Sequence, residues 1–171
     1  MKTLAFLTLG LGVLAGAAAA QSPGSAAWNL SLPKAPQDTA YLTYAVPESG
    51  RLRLNLSCRV KSGQVLAMFD VEKRLAVKQR GQSWVDNIGR PAPWPVSVTV
   101  MSLTQKTTLR GLALPNAMTG GSTVQVEVST LAPVVAEWRN TAVLRLDALD
   151  EVNAQPAAAK GLISRFLRAC G

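Results

Sequence analysis

The chain has 171 residues, a formal net charge of +8 and no histidine. The absence of histidine excludes Ser-His-Asp and Cys-His catalysis, and it removes the usual imidazole ligands of zinc, copper and iron. Apolar residues make up 48% of the chain, and proline and glycine are frequent. This composition is typical of one folded strand-and-turn domain and not of a disordered chain.

The first twenty residues have the pattern of a signal peptide. Lys2 provides a short positive region, an apolar run extends from Leu4 to Ala17, and small residues end the segment at Ala20. This order predicts cleavage after Ala20 and export of the remainder to the periplasm or the medium. A retained membrane anchor is the alternative, but the apolar run is short for a bilayer span. After cleavage we expect no stable membrane span.

The remainder divides into a loose N-terminal arm at 21–37 and a single β-rich domain at 38–171. Alternation allows a short first strand at 28–32 within the N-terminal arm. A second strand is predicted at 40–46, followed by a turn at 47–50, where proline and glycine occur together.

A hairpin is the clearest predicted element. Between Arg51 and Lys61 apolar and polar residues alternate strictly, which is typical of a strand with one buried and one solvated face. The buried face is predicted to contain Leu52, Leu54, Leu56, Cys58 and Val60. A turn at 61–63 and a return strand at 64–71 complete the hairpin.

The later elements follow with shorter signals. Residues 73–80 are strand or loop, with 84–88 as the pairing partner, and three prolines predict a loop at 90–95. Further strands are predicted at 96–101, 107–112, 124–129 and 142–146, a turn-rich connection at 115–121, and helices at 133–140 and 156–170. The predicted fold is mainly β (α+β), an antiparallel sandwich or curved sheet with a C-terminal amphipathic helix.

Cys58 and Cys170 are the only cysteines. Cysteine pairs in exported domains usually form disulfides. Leu162, Ile163, Phe166 and Leu167 share the helical stripe of Cys170, so both sulfurs point toward the core and a Cys58–Cys170 bond is predicted. A reactive thiol is the alternative, but the chain has neither a CxxC motif nor a histidine to support it.

Six residues are candidates for a binding surface: Arg51, Arg53, Arg59, Lys61, Arg90 and Trp94. The first four share the outer face of the first hairpin strand, and the other two lie in the proline-rich loop. A basic surface fits an anionic envelope component or an acidic protein partner, and a solvated strand face without function is the alternative. Nucleic acid is not expected, because the basic residues lack the interleaved aromatics of single-strand binders.

No cofactor or metal site is predicted. Asp147, Asp150 and Glu151 cluster after a strand, but their spacing matches no calcium-binding loop. A solvated turn is the favoured interpretation of this cluster.

The leader, the strand cysteine in 54–58 and the helix cysteine in 166–170 carry a resemblance. In this layout the chain is similar to periplasmic accessory proteins associated with type VI secretion in Gram-negative bacteria, and more loosely to the invasion-associated locus B family. The latter generally has more cysteines. The resemblance implies a non-enzymatic envelope protein and transfers no catalytic residue.

The leading hypothesis is therefore a non-catalytic periplasmic protein that binds a partner or an envelope component. One alternative is a small hydrolase or an inhibitor of an envelope enzyme. The inhibitor would act through its own loop at 90–95. Another is an assembly subunit that uses a free sheet edge. The oligomeric state stays open.

Overall fold

The computed structural model describes residues 26–34, 38–46, 52–81 and 83–171. The predicted leader at 1–20, the turn at 47–50 and Arg51 lie outside the described residues, as do parts of the N-terminal arm.

The described chain contains eleven strands and two helices. In chain order these are β1 (Ala27–Ser31), β2 (Thr39–Ala45), β3 (Leu52–Arg59), β4 (Gln64–Val71), β5 (Lys78–Arg80), β6 (Ser83–Val85), β7 (Trp94–Met101), β8 (Lys106–Pro115), β9 (Ser122–Ser129), α1 (Pro133–Thr141), β10 (Arg145–Ala148), β11 (Glu151–Ala154) and α2 (Lys160–Cys170).

Nine of these strands form one antiparallel sheet, in the order β1-β2-β3-β4-β9-β8-β7-β10-β11, and β5 pairs with β6. The sheet is curved, so that its two edges, at β1 and β11, approach each other. Asn153 Nδ2 on β11 donates to the Arg53 carbonyl on β3 at 3.2 Å, and Trp28 Nε1 on β1 donates to the Pro156 carbonyl at 2.9 Å. The predicted mainly β fold with a C-terminal helix is confirmed, in its curved-sheet form.

Alternating side chains build the core on the concave face. On β3, Leu54, Leu56 and Cys58 are buried, whereas Arg53 and Arg59 are exposed, as the alternation predicts. Strands β4, β7 and β9 add inward rows of valine, alanine and phenylalanine. Burying one valine or phenylalanine side chain contributes about 1.5–3 kcal/mol, so these rows hold the sheet around one core.

Several element boundaries differ from the sequence prediction, and three of the differences have a clear local reason. Strand β10 begins at Arg145 and not at Ala142, because Ala142 ends α1 in the left-handed conformation with φ 60°. Helix α2 begins at Lys160 and not at Pro156, whose carbonyl instead accepts the Trp28 bond. Strand β8 extends to Pro115 because residues 112–115 pair with β9.

The two helices cover the core. Helix α1 begins with Pro133 in its first turn, as predicted, and buries Trp138. Helix α2 packs against β2, β3 and α1. Of its predicted stripe, Ile163, Phe166, Leu167 and Cys170 are buried, and Leu162 is half-buried.

A disulfide joins Cys58 to Cys170, as the sequence predicts, with the two Cα atoms 5.5 Å apart. Backbone bonds reinforce the junction. The N–H of Lys61 donates to the Ala169 carbonyl at 2.9 Å, and the N–H of Gly63 donates to the Cys170 carbonyl at 2.8 Å. The β3–β4 turn therefore binds the last carbonyls of α2, which have no acceptor role inside the helix.

Loss of the disulfide should destabilise the protein strongly. The bond spans 112 residues, and closing a loop of that length stabilises by about 4–5 kcal/mol in the chain-entropy model. Urea unfolding of the oxidised and reduced protein, with a Cys58→Ser/Cys170→Ser variant alongside, measures the difference. Equal unfolding midpoints for all three would show that the bond does not stabilise the fold.

Candidate functional site

The predicted basic surface does not form one patch. Arg53 and Arg59 are six positions apart on β3, which is about 20 Å along an extended strand. Arg59 and Lys61 lie at the end of the sheet where α2 terminates, whereas Arg53 lies toward the opposite end. Arg51 lies outside the described residues.

Trp94 is not a surface residue, and its prediction as a binding group is wrong. The ring is 2% exposed, and Nε1 donates to the Arg90 carbonyl at 2.9 Å. Trp94 is the first residue of β7 and lies on the same face of the strand as the buried Val98 and Val100, so its side chain points into the core. Pro95, the second residue of β7, lies where β7 has β8 as its only neighbouring strand, because β10 pairs with β7 only from Val98 onward. A proline is tolerated at such an edge position because it has no N–H to donate.

A small meander, here called the arm (residues 72–93), projects from the end of the sheet far from the disulfide. It leaves β4 at Val71 and returns to β7 at Trp94. Strands β5 and β6 pair within it, and the chain then runs back along β6, with Ala92 N–H donating to the Trp84 carbonyl at 2.9 Å. An isolated two-stranded hairpin is marginally stable in water, so this third segment helps to hold the arm in shape.

The carboxylate of Asp86 organises the turn at 86–90. Asp86 is 6% exposed; Oδ1 accepts the N–H groups of Ile88 and Arg90, and Oδ2 accepts Arg90 Nε at 2.8 Å. Burial raises the pKa of Asp86. The hydrogen bonds from Arg90 and Ile88 lower the pKa by a larger amount, so it lies below its ordinary value. A buried, ionised group thus sets the backbone of this turn.

The arm exposes both apolar and basic side chains. Ile88, at the Asp86 turn, is 69% exposed and Val77 is 58% exposed. Lys78 and Arg80 on β5 are also exposed. Among the described residues the ion pairs are Lys73–Asp150 and Asp86–Arg90, so Lys78 and Arg80 have no ionic partner in this part of the chain.

A pocket of about 260 Å³ lies between the arm and the loop at 116–121. Its arm side contains Arg74, whose guanidinium lies over the Trp84 ring, 6.0 Å from the centroid. Ala76 and the backbone of Gly120 and Gly121 complete the walls. The pocket therefore combines a cation, an aromatic face and an apolar lining.

The loop at 116–121 separates this pocket from a second concavity. Asn116 Oδ1 accepts the N–H groups of Met118 and Thr119, and Gly120 N–H donates to the Asn116 carbonyl. Gly121 contacts the end of β4 so closely that a Cβ there would overlap the Val71 carbonyl oxygen. The loop is thus a fixed wall.

The second concavity, here called the polar cleft, has a volume of about 660 Å³ and lies between β11 and the β3–β4 hairpin. Its lining includes Arg53, Asp70, Glu72 and Glu151. Asp70 accepts the Thr123 hydroxyl at 2.7 Å, and the Glu151 oxygens accept the N–H groups of Glu72 and Lys73 at 2.7 and 2.6 Å. Asp70 therefore bonds across the neighbouring strands β4 and β9, whereas Glu151 ties β11 to the residues that follow β4.

Of the three acidic residues predicted to form a solvated turn, only Asp150 lies in the turn. Asp147 belongs to β10, and Glu151 begins β11, a strand that was not predicted. Leu149 and Asp150 adopt left-handed conformations between β10 and β11. Asp150 pairs with Lys73 Nζ at 2.7 Å, and the hydrogen bond from that lysine holds the pKa of Asp150 below its ordinary value. In the part of the chain that is described, no group of three or more acidic or cysteine side chains could hold a metal ion.

Comparison of the chain with models of known protein families, with curated proteins and with solved structures finds no match. Within the described ranges, no helix has the length and apolar character needed to cross a bilayer.

Sequence reasoning missed Ile88, Val77 and the pairing of Arg74 with Trp84. One local signal was present, because Asp86-Asn87-Ile88-Gly89 is typical of a turn in which the aspartate side chain binds the backbone ahead of it. The Arg74–Trp84 contact had no such signal, since it depends on how the arm folds back.

Gly121→Ala should lower the free energy of unfolding by about 1–3 kcal/mol, because the added methyl group overlaps the Val71 carbonyl oxygen. Gly161→Ala is the control. A Cβ there meets nothing within 4 Å, and alanine favours the helix by roughly 0.5 kcal/mol. Chemical denaturation of both variants tests the contact, and a stabilised Gly121→Ala protein would refute it.

Acid should open the Asp86 turn. Because the pKa of Asp86 is lower in the folded than in the unfolded protein, its contribution is complete above the model-peptide value of 3.8 and is lost as the pH falls through the folded pKa. The amide NMR signals of Ile88 and Arg90 should shift in that range. Asp86→Asn, which cannot titrate, should abolish the transition, and unmoved amides in the wild-type protein would contradict this account.

Proposed function

We propose that this chain is an exported, disulfide-stapled binding protein without catalytic activity, and that it docks on an acidic protein surface through the arm. The observation that carries the proposal is the arm itself, which exposes the apolar side chains of Ile88 and Val77 and the basic side chains of Lys78 and Arg80. Apolar anchors flanked by cations favour an acidic partner, because the anchors supply affinity while complementary charge supplies orientation and association rate.

The rigidity of the arm supports docking. Each Asp86 oxygen accepts bonds from the turn, and Trp94 holds the Arg90 carbonyl from the core side. A surface that already has its bound shape loses little conformational entropy on association. A buried carboxylate that serves an exposed turn is therefore consistent with recognition by the turn.

Export is supported by two independent features. The pattern of residues 1–20 is that of a cleaved leader, and a long-range disulfide is typical of oxidising compartments. Together they favour a periplasmic or secreted location, where the partner must also be accessible.

The absence of catalysis is part of the proposal. The chain has no histidine, and two carboxylates of the polar cleft, those of Asp70 and Glu151, are occupied by hydrogen bonds that hold backbone and strand positions. An enzyme needs groups whose lone pairs or protons are available to a substrate, and these two groups serve the fold.

Inhibition of an envelope enzyme is a second candidate, favoured by the exposed and rigid turn at 86–90. In that case Ile88 would be the inserted residue, because Trp94 is buried. Both functions use the same arm and differ in the identity of the partner.

Charge reversal in the arm should abolish partner capture. Lys78→Glu/Arg80→Glu should weaken recovery of a cross-linked acidic protein from the periplasm by about tenfold or more, which corresponds to ~1.4 kcal/mol. Arg59→Glu/Lys61→Glu is the matched control, because it makes the same charge change at the opposite end of β4, about 25 Å away.

Equal losses in both variants would indicate attraction by net charge alone, and loss only in the control would place the interface on the β3 face. Both outcomes contradict docking by the arm. Binding to anionic lipid vesicles with no protein captured would favour an envelope component instead.

A further inference from the structure

The pocket between Arg74 and Trp84 is partly formed by the arm, so a protein that docks on the arm would lie next to it. It is formed by the arm on one side and by the loop at 116–121 on the other. Its volume of about 260 Å³ is below the usual range for drug-sized ligands, which begins near ~300 Å³. It therefore suits one inserted side chain better than a complete small molecule.

The lining specifies what that side chain should be. Arg74 Nε donates to the Ala76 carbonyl at 2.8 Å, which fixes the guanidinium. Its two terminal nitrogens have no hydrogen-bond partner among the described residues and can act as donors. Two such nitrogens can bind a carboxylate in a bidentate manner. Trp84 and Ala117 offer apolar contact to the methylene groups that carry the carboxylate.

The surroundings separate this pocket from its neighbour. The polar cleft on the other side of the loop is lined by Asp70, Glu72 and Glu151, with Arg53 as its cation. An acidic group is repelled there and attracted to Arg74, so the loop at 116–121 divides two sites of opposite charge preference.

We infer that this pocket, here called the Arg74–Trp84 pocket, receives an acidic side chain of the partner protein. The inference rests on the docking role proposed for the arm and adds a specific recognition element to it. The carboxylate pairs with the Arg74 guanidinium, and its methylene groups pack beside the Trp84 ring. The charge and the size of the pocket thereby select an acidic residue over an amide of the same shape.

Indole NMR signals can test the pocket directly, because the four tryptophans report from different places. The indole N–H groups of Trp28 and Trp94 are bonded to backbone carbonyls, and Trp138 is buried in the core. The probe is an acetylated and amidated peptide of glutamates around a central serine, and the control peptide has glutamine in place of each glutamate. The acidic peptide should shift the Trp84 signal in a saturable manner, whereas the glutamine peptide should not.

Two variants make the outcome decisive. Arg74→Gln should weaken the peptide affinity by about tenfold or more, while the Trp94 and Trp138 signals show that the fold is retained. Ala117→Glu leaves Arg74 and Trp84 in place and adds a carboxylate to the pocket wall, so it should compete with the peptide and also abolish the shift. A Trp84 signal that does not respond to the acidic peptide, or that responds equally in Arg74→Gln, overturns the inference.

Failure here is distinguishable from failure of the proposed function. If Arg74→Gln captures the periplasmic partner normally while Lys78→Glu/Arg80→Glu does not, the arm docks and the pocket is not used. If the peptide binds at Trp84 but no partner is captured by the arm, the pocket recognises carboxylates and docking by the arm is wrong.

Discussion

The contact between the last turn of α2 and the β3–β4 turn holds the cover of the curved sheet in place. A sheet with one apolar face must bury that face against another element, and the stripe of Ile163, Phe166 and Leu167 supplies the cover. An eleven-residue helix is marginal on its own. The disulfide to Cys58, with the N–H groups of Lys61 and Gly63 on the helix carbonyls, fixes the helix over the core.

This closure leaves the opposite end of the sheet to form the candidate site. There the chain leaves β4, builds the arm and returns through the buried Trp94. The loop at 116–121 and the β10–β11 turn reach the same end, where Glu151 and Asp150 bind the start of the arm. Recognition is therefore proposed at the end where loops meet, and stability is concentrated at the end where the helix is tied.

Most of the fold could be predicted because its signals are local. Alternation on β3 and β9 predicts which side chains point inward, and helical spacing predicts which face of α2 is buried. The candidate site was predicted poorly for the opposite reason. Three prolines near Trp94 indicated an exposed loop, but the register of β7 turns that ring into the core. Arg53 and Arg59 share a strand face, yet the strand separates them by too great a length for one contact surface.

The sequence by itself determined the inward and outward faces of the main strands, the amphipathic helix, the pairing of its two cysteines and the pattern of an export leader. These follow from spacing along the chain, or from there being only one possible pair. The tertiary structure alone decided that Trp94 is buried, that Ile88 is displayed and that Arg74 lies over Trp84 opposite the loop at 116–121. The reason is physical: periodicity is a property of neighbouring residues, whereas a pocket is formed where distant segments pack together.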